Sequence, residues 1–129
     1  MTKDTLQKIL FIDIETVTAA DKYDQLDKEW QKLWDEQFFR DDEISAKTPA
    51  ERYALKGALR AEFSKIVCLS MGVVIFKEDE PHLYVKSLTG TEQEILAKFS
   101  ETCNSGKYNE LCAHNGKNFD YPFITRRLI

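Results

Sequence analysis

The sequence predicts an α/β domain in which a mixed sheet carries helices on its faces. Residues 9–17 form an apolar run typical of a buried strand, and residues 65–76 are rich in β-branched side chains. Helix-start signals at residues 48–51 and 91–94 alternate with these strands. Antiparallel strands followed by helix–strand units predict a mixed sheet with flanking helices.

The first half of the chain is predicted to contain one strand, at residues 8–14, and two helices. The first helix covers about 21–39, because apolar residues recur there at helical spacing. These residues are Leu26, Trp30, Leu33, Trp34 and Phe38. We interpret its aromatic residues as core contacts rather than as platforms for stacking bases. The second helix runs from Pro49 to about residue 61, because Thr48 and Glu51 form a capping box around a proline that suits the first helical position.

The second half is predicted to contain three more strands and two more helices. The strands cover residues 65–76, 82–88 and 110–114, and the helices cover about 91–102 and 121–129. A charged turn at 77–81 joins two of the strands, so the first three strands form an antiparallel meander. A right-handed crossover through the next helix then places the fourth strand parallel to the first and beside it.

Composition limits the classes of protein that fit. The chain has 129 residues, of which 43% are hydrophobic and 31% are charged, as in one globular domain. No apolar stretch is long enough to cross a membrane, and the polar N-terminus lacks a signal-peptide core. Three cysteines without C-x-x-C spacing are typical of reduced thiols and do not indicate a zinc site. We therefore expect a cytoplasmic protein.

The net charge of −4 is concentrated in one segment. Residues 21–47 contain nine acidic and five basic residues, which accounts for the whole excess. This acidity argues against a protein that coats nucleic acid along its length.

Asp13 and Glu15 are the main chemical feature of the first strand. Strand residues two apart point to the same side, so both carboxylates leave one face of the sheet. Two adjacent buried anions are costly unless a cation neutralises them, and hard oxygen ligands suit Mg²⁺ or Mn²⁺. The alternatives are that these acids pair with lysines or cap a turn.

A second cluster of polar residues covers 114–123 and follows the carboxyl end of the predicted fourth strand. Open α/β sheets place their functional sites at such strand ends. Asp120 stands near the start of the last helix, where its alternative role is that of an N-cap. His114 is interpreted as a packed or hydrogen-bonded histidine.

Together the two segments resemble a known family. Asp13-Ile14-Glu15-Thr16 and Asn115-x-x-x-Phe119-Asp120-x-Pro122 resemble the first and second motifs of the DEDD-type 3′→5′ exonucleases. The second motif looks most like that of the proofreading domain of family B DNA polymerases and of the bacterial predicted exonucleases related to it. Residues 61–70 also resemble the segment that those proteins carry into their second strand.

The resemblance implies a ribonuclease H-like fold and hydrolysis of phosphodiester bonds at the 3′ end of DNA with two Mg²⁺ or Mn²⁺ ions. It implies that Asp13 bridges both ions, that Glu15 binds one and that Asp120 binds the other. It further implies that the Thr16 backbone, Asn115 and Phe119 contact a single-stranded or frayed 3′ end, with Phe119 stacking on a base. Residues 17–60 are then a helical insert.

The family also has a third motif, Tyr-x-x-x-Asp or His-x-x-x-Asp, after the second one. We expect residues 1–129 to be the N-terminal part of a longer exonuclease domain, impaired as it stands and able to form a homodimer through a sheet edge left exposed. Tyr23-x-x-x-Asp27 matches the spelling, but it precedes the second motif and is not interpreted as the missing part.

Two other functions stay open. An exoribonuclease of the same fold would use the same residues, because discrimination depends on contacts to the 2′ position. A non-catalytic module that binds nucleic acid is favoured by the missing third motif. Arg126 and Arg127 are interpreted as a solvated helix face, with a phosphate contact as the alternative.

Overall fold

The computed structural model describes residues 1–129, which form a mixed α/β fold with one four-stranded sheet in the order β3-β2-β1-β4. The strands are β1 (Ile9–Thr18), β2 (Ser64–Lys77), β3 (Glu80–Leu88) and β4 (Glu110–Cys112). The helices are α1 (Lys3–Gln7), α2 (Lys28–Asp35), α3 (Asp42–Ser45), α4 (Pro49–Lys56), α5 (Glu92–Cys103) and α6 (Asp120–Leu128). No helix combines the length and the apolar character that crossing a membrane requires.

The strand pairing agrees with the predicted topology. β1 and β4 pair in parallel from Ile9 with Glu110 to Phe11 with Cys112, and β1, β2 and β3 are antiparallel. β2 and β3 are joined by a two-residue turn in which both residues have positive φ, as in tight hairpins. The antiparallel meander and the parallel fourth strand are therefore confirmed.

The chain divides into two compact units. The first contains Met1–Glu15 and Ile66–Ile129, and the second contains Thr16–Lys65. The core of the first unit is built from apolar residues of β1, β2, α5 and α6. Its most buried members are Leu10, Ile66, Leu69, Ile95 and Phe123. Each such side chain contributes about 1.5–3 kcal/mol relative to exposure.

The two faces of β1 differ in the first unit. Leu10, Ile12 and Ile14 alternate on one face and are all buried. The opposite face opens into a cavity of about 380 Å³ with mainly apolar walls, which we call the sheet groove. Its lining includes Phe11, Asp13, Gly72, Leu83 and Val85. Leu83 and Val85 on β3 are 67% and 63% exposed, so this apolar face is open to solvent.

An ion pair between Glu92 and Arg127 connects the first turn of α5 to the last turn of α6. Thr91 and Glu94 form the predicted capping box at the start of α5. Glu92, in the first turn, accepts hydrogen bonds from the backbone N–H of Ile66 at 2.7 Å and from the Arg127 guanidinium at 2.5–3.1 Å. The interpretation of Arg127 as part of a solvated helix face is therefore wrong, because its guanidinium is partly buried against Glu92.

The core of the second unit is aromatic. Trp34 packs edge-on against Tyr53 and Phe63, with ring centroids 5.2 and 5.0 Å away. The Trp34 indole N–H donates to the Pro49 carbonyl at 2.9 Å, and the Tyr53 hydroxyl donates to the Ala20 carbonyl at 2.9 Å. These two buried polar groups are thereby satisfied, as most buried polar groups in proteins are.

Helix lengths in this unit differ from the prediction. The helix expected over 21–39 is only Lys28–Asp35, because Asp27 caps it at one end, where its carboxylate accepts from the Trp30 N–H at 2.9 Å. At the other end Phe39 leaves the helix and packs on Trp34 at 5.6 Å between centroids. The helix expected to reach 61 ends at Lys56 and continues as short 3₁₀ turns. The capping box of Thr48 and Glu51 is confirmed.

Two further expectations have clear outcomes. All three cysteines are free thiols, as predicted. Trp34 is a core residue, and Trp30, which is 41% exposed, packs on Phe63 at 5.4 Å. Phe38 is 76% exposed, so its interpretation as a core contact is wrong.

Candidate functional site

Asp13 and Glu15 lie on the exposed face of β1. They stand beyond the last parallel pair with β4, which joins Phe11 and Cys112. The two residues share one side of the strand, but both side chains are exposed, so the expectation of two buried anions is wrong. The reason is that the covered face of β1 belongs to Leu10, Ile12 and Ile14, while the face with the acids opens to solvent.

The exposed carboxylates are not used in local structure. Neither Asp13 nor Glu15 forms an ion pair or a side-chain hydrogen bond, so pairing with a lysine and capping of a turn do not occur. Asp13 also lines the sheet groove. These two carboxylates therefore remain available to a ligand that approaches the open face of the sheet.

Asp120 is the buried acid of the site. It is the first residue of α6 and is 2% exposed, whereas the N-cap position belongs to Phe119. The alternative role of Asp120 as an N-cap is therefore wrong. The short strand β4 and the turn after it deliver this carboxyl to β1, because parallel strands bring their carboxyl ends to the same edge of a sheet.

The charges around Asp120 identify its neighbours. Burial raises the pKa of the Asp120 carboxyl, and hydrogen bonds from the backbone N–H groups of Asp120 and Ile14 oppose this rise. The nearby Asp13 carboxylate raises the same pKa further, and His114 lowers it. The structure thus brings Asp120 to the backbone between Asp13 and Glu15 and within electrostatic range of Asp13.

His114 is exposed, so its interpretation as a packed histidine is wrong. The sequence placed His114 in the same cluster as Asp120, but the Ile14 N–H was not predicted as a neighbour of Asp120. The sequence signal for this N–H was the position of Ile14 between Asp13 and Glu15, because its backbone N–H lies between those two residues along the strand.

Asp13 and Asp120 are close enough to interact electrostatically, but the acids of the site do not form a metal-binding cluster. No group of three or more His, Cys, Asp or Glu side chains stands in an arrangement that could hold a metal ion. The donor chemistry nevertheless suits hard divalent cations, because Asp13, Glu15 and Asp120 supply only carboxylate oxygens.

The turn between β4 and α6 has a fixed backbone. Asn115 adopts a left-handed conformation with φ of 55°, which asparagine tolerates better than most residues. Its side chain accepts a hydrogen bond from Asn118 at 2.8 Å. Gly116 is buried, and a Cβ there would lie 2.7 Å from the Tyr121 ring. This turn exposes Asn115 and holds it in one orientation.

The other expected substrate contacts are partly engaged within the protein. Phe119 is half-buried and packs on Phe123 with centroids 5.4 Å apart. The Thr16 hydroxyl donates to the Ala58 carbonyl at 2.7 Å. The contact with the 3′ end that we expect of Thr16 involves its backbone, so this hydrogen bond does not block it.

Tyr23 and Asp27, which match the spelling of the third motif, have structural roles in the second unit. The Tyr23 hydroxyl donates to the Asp35 carboxylate at 2.8 Å, and Asp27 caps α2.

No protein-family model, no curated protein and no solved structure matches the chain.

Proposed function

We propose that this chain is a metal-dependent 3′→5′ exonuclease domain of the DEDD type that acts on the 3′ ends of DNA. The observation that carries the proposal is the position of Asp120. Its carboxyl lies at the N–H of Ile14, the residue between Asp13 and Glu15, and it is close enough to Asp13 for their charges to repel. One acid from each motif thus lies where β4 ends beside β1.

The residues that would hold Mg²⁺ or Mn²⁺ are Asp13, Glu15 and Asp120. When bound, such ions activate a water molecule and neutralise the charge that develops on the leaving 3′ oxygen. Without a cation, burial and the charge of Asp13 make the Asp120 carboxyl hold its proton more firmly than an exposed aspartate does. Because only the ionised carboxylate binds a cation well, affinity for metal should rise with pH.

The substrate side of the proposal uses the exposed face of β1 and the turn before α6. Asn115 is exposed and held in orientation by Asn118, so it can contact the strand without reordering the turn. Phe119 presents only part of its ring, because the rest packs on Phe123. The sheet groove beside Asp13 supplies an apolar surface of the kind on which a terminal base packs.

A non-catalytic module that binds nucleic acid is the second candidate. The observation that favours it is that no three acidic or imidazole side chains form a metal-holding group. The two candidates differ in one measurable property, since only the exonuclease requires divalent cations to bind at Asp13 and Asp120.

The test is titration of the 129-residue chain with Mn²⁺ in a calorimeter. We expect saturable binding that weakens at least about tenfold in Asp13→Asn and in Asp120→Asn, as loss of an anionic ligand predicts. The control is Glu78→Gln, which removes one exposed carboxylate from the β2–β3 turn of the same unit and should bind as the parent does. Absence of heat at millimolar Mn²⁺, or equal weakening in the control, would overturn the exonuclease proposal.

A second readout follows shortening of a 5′-labelled oligonucleotide in Mn²⁺. Stepwise loss from the 3′ end that disappears in Asp13→Asn supports the proposal. Parallel reactions with DNA and RNA of the same sequence separate a deoxyribonuclease from an exoribonuclease.

A further inference from the structure

The second unit carries an open groove that combines aromatic surface with positive charge. The groove has a volume of about 630 Å³ and lies among the end of α2, α3 and the end of α4. We call it the Phe38 groove. Its lining includes Phe38, Arg40, Asp41, Lys56, Leu59 and Arg60.

Core packing does not explain the position of Phe38. The neighbouring Phe39 fills the core position, with its ring 5.6 Å from that of Trp34 and 5.2 Å from the Arg60 guanidinium. Arg60 also donates to the Phe38 carbonyl at 3.1 Å, which fixes the backbone where the two phenylalanines diverge. Phe38 is thereby held outward with 76% of its surface exposed. Phe38 and Leu59, which is 49% exposed, thus give the groove an apolar surface that solvent can reach.

The charge of the groove is opposite to that of its surroundings. Arg40 and Lys56 form no ion pair and no side-chain hydrogen bond, so both cations are available. Arg60 uses one N–H on the Phe38 carbonyl and retains further donors. The acid of the lining, Asp41, is occupied as the cap of α3, where it accepts from two backbone N–H groups. The lining of the groove thus contains three cations and one acid, Asp41, whose carboxylate caps α3. The neighbouring segment, residues 21–47, is acidic overall.

We propose that the Phe38 groove binds a segment of single-stranded nucleic acid, with a base stacked on Phe38 and phosphates at Arg40 and Lys56. Aromatic rings beside cations are the combination that proteins use for single strands, because every base has a π-face and every linkage has a charge. An acidic peptide would match the cations but would offer no planar face to Phe38. This site lies outside the residues of the proposed exonuclease and does not depend on its activity.

The experiment measures fluorescence anisotropy of a 5′-labelled dT₁₂ oligonucleotide on the whole 129-residue chain. EDTA is present throughout, so the result is independent of metal binding at Asp13. Phe38→Ala should weaken binding by at least about fivefold, the effect of losing one stacked base. The double variant Arg40→Gln, Lys56→Gln should reduce the slope of log affinity against log salt by about 1.4, which corresponds to two phosphate contacts on a single strand.

The matched controls lie in the same unit but outside the groove. Leu55→Ala removes an apolar side chain that is 54% exposed on α4, and Lys32→Gln removes an exposed cation from α2. Both should bind dT₁₂ as the parent does. Equal weakening in groove and control variants would overturn the proposal, and so would a poly-glutamate peptide that binds more tightly than dT₁₂ and depends on the same residues.

Discussion

Removal of the Glu92 carboxylate should destabilise the first unit by about 1–4 kcal/mol. Glu92 serves two partners, since it accepts from the Ile66 N–H at 2.7 Å and from the Arg127 guanidinium. In Glu92→Ala the N–H of Ile66, a residue only 1% exposed, loses its acceptor, which costs about 1–3 kcal/mol. Loss of the ion pair adds up to about 1 kcal/mol, because the Arg127 side chain is 30% exposed and can turn toward water.

The assay for Glu92→Ala is urea unfolding followed by circular dichroism. Tryptophan fluorescence is less suitable, because both tryptophans, Trp30 and Trp34, belong to the second unit. Hydrogen exchange of the Ile66 amide gives a local readout, and we expect it to accelerate in the variant. Glu92→Gln keeps an acceptor oxygen of the same shape and should cost less than the alanine variant.

The control is Glu101→Ala, which removes an exposed carboxylate from the same helix. We expect no measurable change in its unfolding midpoint, since exposed pairs contribute little. The reasoning is refuted if the Glu92 and Glu101 variants unfold at the same urea concentration, or if the Ile66 amide exchanges at the parent rate in Glu92→Ala.

Three further predictions test the site and its surroundings. The pKa of Asp120 is raised in the folded chain, so its favourable contribution to folding is complete below its usual value of 3.8 and is lost as the pH rises through the folded pKa. Asp120→Asn should therefore raise the melting temperature at pH 7 in EDTA and have least effect below pH 3.8, and a variant that melts lower at pH 7 contradicts this. Gly116→Ala places a Cβ 2.7 Å from the Tyr121 ring and should cost about 1–3 kcal/mol in calorimetric unfolding, whereas unchanged stability would mean that the turn yields. Cys112 is exposed while burial raises the pKa of the Cys103 thiol, so Cys112 should react first with a thiol reagent, as mass spectrometry of the partly labelled chain would reveal.

The elements that the sequence predicted well are those with strong local signals. The capping boxes at Thr48 and Thr91 mark the starts of α4 and α5. The β-branched run of residues 65–76 corresponds to β2, and the charged tip after it forms the hairpin turn. In these segments capping, side-chain shape and turn chemistry favour the same structure, so local reasoning is sufficient.

The errors occur where long-range contacts decide the structure. The apolar spacing of residues 21–39 is helical, but α2 ends at Asp35, and Phe39 packs on Trp34 instead of extending the helix. Helix α1 was missed because its signal, Thr2 as N-cap, precedes only five helical residues. For the candidate site, strand alternation correctly placed Asp13 and Glu15 on one side of β1. Their exposure depends on which face other elements cover, and strand spacing carries no information about that.

The open face of the sheet affects how the unfolding of this protein is best monitored. Leu83 and Val85 leave an apolar concavity accessible while the chain is fully folded. Reporter dyes that brighten in nonpolar surroundings should therefore adsorb to the native molecule and give a high signal before heating begins. Dye-based thermal scans would then show a falling or flattened trace, and label-free methods are the better choice for ranking variants.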